Sequence, residues 1–117
     1  MHEASLAQVI LECALQEAAS RAARRICQLR LRVGVAANVE VESLRFAIEH
    51  LACGGPAEGV QVDIEDVALT VDCRSCGLRS EPPAWSYRCA GCGGADVDVV
   101  GGHELQLVEL DLDLAEA

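Results

Sequence analysis

Cys73-Arg74-Ser75-Cys76-Gly77 and Cys89-Ala90-Gly91-Cys92-Gly93, with eleven residues between the two runs, decide how this chain of 117 residues is organised. Two residues between paired cysteines let one tight turn aim both sulfurs at one point. Two such turns build a tetrahedral four-sulfur cage, the geometry that zinc takes in a structural site. The glycine after each pair suits the left-handed backbone that closes such a turn. Iron also accepts four thiolates, and a single Cys-x-x-Cys can be a redox dithiol. Two facing pairs, on a body with only Phe46, Trp85 and Tyr87 as aromatic residues, favour a shared zinc ion. A closed cage has no open position for substrate, so its expected role is structural. Around it the large apolar side chains are Leu78, Trp85 and Tyr87. The segment therefore lacks a hydrophobic core of its own, and metal must supply much of its stability. Trp85 and Tyr87 are expected to pack on it rather than to anchor a partner.

Outward from the cysteines, the pattern is one of half-buried strands. Val60, Val62 and Ile64 alternate with polar residues, and Val67, Leu69 and Val71 repeat the pattern. The slip of one residue at Asp66 predicts a bulge or a bend. Beyond the second pair come Val97 and Val99, a Gly101-Gly102 turn, and then Leu105 and Leu107. A second slip at Val108 precedes Leu110, Leu112 and Leu114. Residues 28–35 alternate without a fault, with Leu29, Leu31, Val33 and Val35 opposite Gln28, Arg30 and Arg32. Two helices are expected. The first, 4–26, has a capping box at Ser5 and Gln8, an apolar face of Leu6, Val9, Ile10 and Cys13, and Arg21, Arg24 and Arg25 in its last turns. The second, 41–53, carries Leu44, Ala47, Ile48 and Leu51 inward and stops at Gly54-Gly55-Pro56. The expected fold class is α+β: a small sheet covered by two helices, with an inserted four-cysteine zinc-ribbon module. Residues 1–72 and 96–117 form the α/β domain and residues 73–95 the module.

Composition narrows the function. Net charge is −10, and all nine cations are arginine. A phosphate-coating protein needs a basic face. The slight positive charge of Arg74, Arg79 and Arg88 over Glu81 is cancelled by four thiolates around one zinc, so nucleic acid is not the expected partner. No apolar run approaches the roughly 18 residues of a membrane span. The start of the chain lacks a secretion signal, and a cytoplasmic location with reduced thiols is expected. No Ser/His/Asp or Cys/His arrangement and no phosphate-binding glycine loop points to an enzyme. Cys13, Cys27 and Cys53 read as buried small hydrophobes. His50, late in a helix, and His103, beside a glycine turn, are not read as ligands.

The chain opens Met1-His2-Glu3. The amine of Met1, the amide nitrogen of His2 and its imidazole Nδ1 can close a five-membered and a six-membered chelate ring on one metal ion, with Glu3 adding a further donor. Such nitrogen-rich, near-planar sets suit Ni(II) or Cu(II) more than zinc. The amine must lose a proton, so affinity should rise with pH.

Taken together, these features resemble the HypA/HybF family of hydrogenase nickel-incorporation proteins, over essentially the full length. The resemblance rests on Met1-His2-Glu3, Leu29-Arg-Leu-Arg-Val-Gly34, Val39-Glu-Val-Glu-Ser-Leu-Arg-Phe-Ala47, Glu58-Gly59-Val60, the two cysteine pairs and Gly102-His-Glu-Leu105. It implies a nickel metallochaperone that binds Ni(II) at its N-terminus, centred on His2 with Met1 and Glu3. Structural zinc is then held by Cys73, Cys76, Cys89 and Cys92. The partners it implies are the nickel-handling GTPase HypB and the large-subunit precursor of [NiFe]-hydrogenase, with urease maturation served by some members. Glu40 falls near a position where some members have an acidic residue that approaches the nickel segment. Pro56, where threonine is usual, and Cys89-Ala-Gly-Cys92, where proline commonly follows the first cysteine, depart from the family pattern. The competing class is a zinc-ribbon adaptor that binds only protein, which has no need of Met1-His2-Glu3.

Overall fold

The computed structural model describes residues 2–114. The chain runs α1 (His2–Ser20), β1 (Ala23–Gly34), α2 (Val41–Leu51), β2 (Gln61–Val67), β3 (Thr70–Cys73), β4 (Arg79–Ser80), β5 (Val97–Gly101) and β6 (Leu105–Leu114). It divides into two compact units. The first comprises Met1–Leu31, Glu40–Ile64 and Leu107–Ala117, the second Arg32–Val39 and Glu65–Gln106. The fold is α+β with two three-stranded sheets, ordered β2-β1-β6 and β4-β3-β5.

In the first unit α1 buries Ala7, Ile10, Leu11, Ala14 and Ala18, and α2 buries Leu44 and Ile48. Ile26, Leu29 and Leu31 of β1 and Val62 of β2 complete this apolar core. The charged residues of the strands stay outside and pair across them. Arg30 lies 3.6 Å from Asp63 and 3.3 Å from Glu109, and Arg24 lies 3.2 Å from Asp113. Glu40 caps α2, its carboxylate accepting from the backbone N–H and the hydroxyl of Ser43.

The first helix is shorter than its alanine-rich sequence suggests. It ends at Ser20, Ala22 turns back with φ +54°, and Arg24 and Arg25 lie in β1 rather than in a last helical turn. The backbone N–H of Ile26 instead bonds the carbonyl of Pro56 at 3.0 Å, and Ile26 is fully buried. Sheet pairing and core burial thus override local helix propensity. The slip read at Asp66 marks the end of β2; the chain then begins β3 in the other sheet. Two sheets therefore stand where one was expected.

The second unit is built on an antiparallel pair, β3 with β5, in which Val71 faces Val99 and Cys73 faces Val97. β4 adds two residues on the other side of β3. The turn after β5 is held by a close backbone approach. Gly34 and Ala36 bond the carbonyls of Glu104 and Gly102, and a side chain on Gly34 would begin 2.0 Å from the Gly102 oxygen.

Candidate metal centre

The two cysteine turns are built alike. In the first, the N–H of Gly77 bonds the carbonyl of Cys73, the N–H of Cys73 bonds the carbonyl of Leu78, and the N–H of Cys76 points at the Cys73 sulfur from 3.4 Å. In the second, Gly93 bonds Cys89, Cys89 bonds Gly94, and the N–H groups of Gly91 and Cys92 point at the Cys89 sulfur from 3.3 and 3.4 Å. Gly77 and Gly93 close the turns at φ +78° and +76°, where a side chain would be strained. β3 delivers Cys73 at the end of its ladder, so the first turn starts from a fixed strand.

The turns face each other. The sulfurs of Cys73 and Cys92 are 3.6 Å apart, as are those of Cys76 and Cys89, and all four lie within 4.8 Å of one another. A disulfide needs about 2.05 Å. A tetrahedron with metal–sulfur bonds near 2.3 Å has edges of about 3.8 Å, so the spacing suits four ligands on one ion. The donor set, four soft sulfurs and no oxygen, suits zinc or iron. Cys73 and Cys89 are buried, while Cys76 and Cys92 are open to solvent.

Backbone N–H groups prepare the sulfurs electrostatically. Those of Cys92 and Gly91 lower the Cys89 thiol to about 6, so it is largely thiolate at neutral pH and ready to take a metal. The N–H of Cys76 lowers Cys73 in the same way. The backbone at Leu78 pulls the Cys76 thiol down, but the neighbouring sulfurs of Cys89 and Cys73 outweigh it and push it up to about 11. In a metal-free cluster the sulfurs cannot all ionise together, and a cation resolves that conflict.

The arginines here are already engaged. Arg74 reaches Asp96 at 2.7 Å and also pairs with Asp98; Arg79 grips Asp72 at 2.7 and 2.9 Å; Arg88 donates to the carbonyl of Gly93. Asp72, Asp96 and Asp98, which flank the cysteine runs, take up Arg74 and Arg79, so no basic patch is left around the cysteines among the described residues. Leu78 lies over the second turn against Gly91. Trp85 does not pack: it is 84% exposed. Tyr87 stacks on His103, its hydroxyl 2.9 Å from Nε2.

At the start of the chain, Met1 lies outside the described residues. His2 opens α1 and is half exposed, with Nε2 3.5 Å from a carboxylate oxygen of Glu3. That contact engages Nε2 and not Nδ1, the nitrogen a terminal chelate uses. The same Glu3 oxygen accepts the backbone N–H of Glu40 at 3.0 Å. This bond is the main cause that holds the Glu3 carboxyl down at about 2. Glu40 thus meets the opening segment through its backbone, while its carboxylate turns away to cap α2. Among the described residues the four cysteines alone form a convergent group of three or more metal-ligating side chains.

The remaining candidates are separate. His50 stacks on Phe46. Cys13, Cys27 and Cys53 are exposed rather than buried; Cys53 lies past the end of α2, its thiol near the carbonyl of Glu49. No helix among the described residues is long and apolar enough to cross a membrane.

Comparison with known proteins covers nearly the whole chain. Residues 1–112 match the family described as "Hydrogenase/urease nickel incorporation, metallochaperone, hypA". Hydrogenase maturation factor HypA of Polaromonas naphthalenivorans is 36% identical over 110 residues, which covers 94% of this chain and 96% of that protein. The protein of the same name from Syntrophus aciditrophicus is 37% identical over 114 residues, covering 97% and 100%. The solution structure of the Ni metallochaperone HypA from Helicobacter pylori superposes with a TM-score of 0.69 at 21% identity, covering 98% of this chain and 100% of that one. A second HypA solution structure gives 0.71 at 22% identity, over 96% of each chain.

Proposed function

The chain belongs to the HypA family of hydrogenase and urease nickel-incorporation metallochaperones, and from that premise we propose that it carries Ni(II) at its N-terminus and delivers it during [NiFe]-hydrogenase maturation. The observation that carries the reading is the family match from residue 1 to residue 112, which includes Met1-His2-Glu3. In this reading Met1 supplies its amine, His2 its amide nitrogen and imidazole, and Glu3 a further donor.

Local chemistry supports that assignment. The first N–H groups of a helix have no intrahelical acceptor, so moving the His2 amide nitrogen onto a metal breaks no bond of the α1 ladder. The positive pole of α1 disfavours a bare dication. One deprotonated amide and the Glu3 carboxylate offset both nickel charges. A terminal chelate can also be dismantled one ligand at a time, as a carrier requires. A closed four-thiolate cage has no vacant position through which a partner could begin to take its ion. Cys73, Cys76, Cys89 and Cys92 would then hold zinc permanently, fixing the shape of the second unit's cysteine turns. The partners in this reading are the GTPase HypB and the hydrogenase large-subunit precursor, met in the cytoplasm, and the protein acts as a carrier rather than as a catalyst.

The test is a Ni(II) titration of zinc-loaded protein with its native N-terminus, beside His2→Ala and a form with an added N-terminal residue. Both changes should abolish tight binding, and affinity of the parent should climb as pH approaches about 8, the amine range. Equal affinity in all three proteins would overturn the reading.

A further inference from the structure

β6 is an edge strand, and it is left open. It runs ten residues, Leu105–Leu114, beside β1, and no strand lies beyond it among the described residues. Its sequence, LQLVELDLDL, contains no proline to block pairing. The charges along it, Glu109, Asp111 and Asp113, are all acidic and so protect the edge against acidic strands but not against basic ones. The opposite edge differs. β2 has seven residues, and the carbonyl of its Val62 is taken by the Arg45 guanidinium from α2. No backbone group of β6 is engaged by a side chain in this way among the described residues.

A groove of about 750 Å³ runs along β6, between it and the flank of α1. Cys13 and Glu17, successive turns of one face of α1, and Arg21 just past its end form one wall; Leu110, Leu112 and Leu114 are on the other. Leu114 is 55% exposed and Val108 45% exposed. The intervening Asp111 and Asp113 alternate with these leucines toward the other face, while Glu109, which reaches Arg30 there, also borders the groove. Glu109 and Asp113 are matched by Arg30 and Arg24. Asp111, between them, has no ion pair among the described residues.

We propose that this edge takes up an extended segment of another protein as a further strand of the sheet, with apolar residues alternating with basic ones. Backbone pairing would supply the general affinity and alternate side chains the selectivity, as in other strand additions. The apolar residues would fill the groove beside Leu110, Leu112 and Leu114. The basic residues would meet Asp111 and its neighbours on the opposite face. A second copy of this chain is the poorer occupant. Antiparallel pairing of β6 with itself sets Glu109, Asp111 and Asp113 against the same acids, which is destabilising, and a net charge of −10 opposes self-association further. The proposal assumes nothing about nickel.

Zinc-loaded, nickel-free protein can be titrated with a labelled peptide of alternating valine and lysine as long as β6. Parallel titrations use valine–glutamate and glycine–lysine peptides of the same length. The valine–lysine peptide alone should bind saturably and slow amide exchange along residues 107–113. Asp111→Lys, at an exposed position with no ion pair among the described residues, should weaken it about fivefold, as loss of one cross-strand charge pair and a like-charge contact in its place imply. Leu114→Lys should weaken it by filling the groove with charge. Equal binding of the glycine–lysine peptide would mean simple charge attraction and would overturn the proposal. So would protection that appears elsewhere, self-association through β6, or an Asp111→Lys protein that binds as well as the parent.

Discussion

Stripping the metal from the four-cysteine site should melt residues 73–95 and leave the first unit folded. In that segment the buried residues are Cys73, Pro82 and Cys89. Its large apolar side chains stay largely outside, with Leu78 45%, Tyr87 41% and Trp85 84% exposed. Full burial of such a side chain contributes about 1.5–3 kcal/mol, so Leu78 and Tyr87 together supply no more than about 3 kcal/mol. Ordering each residue's backbone costs about 1–2 kcal/mol. A structural zinc site contributes about 10–16 kcal/mol at neutral pH, far above what the side chains provide. Cys76→Ser, which leaves three thiolates, removes roughly a quarter of that, about 3 kcal/mol, and should weaken zinc about a hundredfold. The first unit has its own core in Ile10, Leu11, Ile26, Leu29, Leu44 and Ile48 and should keep its structure. Two-dimensional amide spectra of reduced protein before and after chelation give the answer. Collapse of the signals of 73–95, with those of α1 and α2 in place, is expected. Dispersed, protected signals from 73–95 in metal-free protein would refute the reasoning.

Two further outcomes concern the glycine crossing in the second unit. Gly34→Ala places a methyl 2.0 Å from the Gly102 carbonyl oxygen and 2.6 Å from the His103 nitrogen; backbone must move, and denaturant unfolding should show a loss of about 3 kcal/mol. Glu104 accepts the N–H of Gly102 at 2.7 Å, which lowers its carboxyl below 4.5. A lowered folded value means the contribution is present above 4.5 and is lost as pH falls through the folded value. Glu104→Gln should therefore be less stable than the parent at neutral pH, by under about 1 kcal/mol after solvent screening, and urea midpoints of the two should converge on acidification.

What could be read in advance follows from how local its cause is. The cysteine turns are dictated by their own few residues, so Cys-x-x-Cys-Gly was enough to expect Gly77 and Gly93 with positive φ. The alternation of Leu29, Leu31 and Val33 is equally local. The end of α1 is not. Ser20-Arg21-Ala22-Ala23 carries no glycine to mark a stop, and the turn at Ala22 is imposed by the pairing of β1 and by contacts such as Arg24 with Asp113, 89 positions away. The slip at Asp66 was visible, but its meaning, the passage from one sheet to another, depends on partners that the alternation does not name. Trp85 was expected to pack because a small module lacks apolar groups; the structure leaves it in solvent. The approach of Glu40 to Glu3 runs through a backbone N–H, which no side-chain pattern encodes.

The central claim is that nickel is held by nitrogen and oxygen at the N-terminus and not by the cysteine sulfurs. X-ray absorption at the nickel edge, on zinc-loaded protein given one equivalent of Ni(II), reads the donor atoms directly. The account predicts a nitrogen and oxygen first shell with an imidazole signature that disappears in His2→Ala. Nickel–sulfur scattering in the parent protein would contradict it.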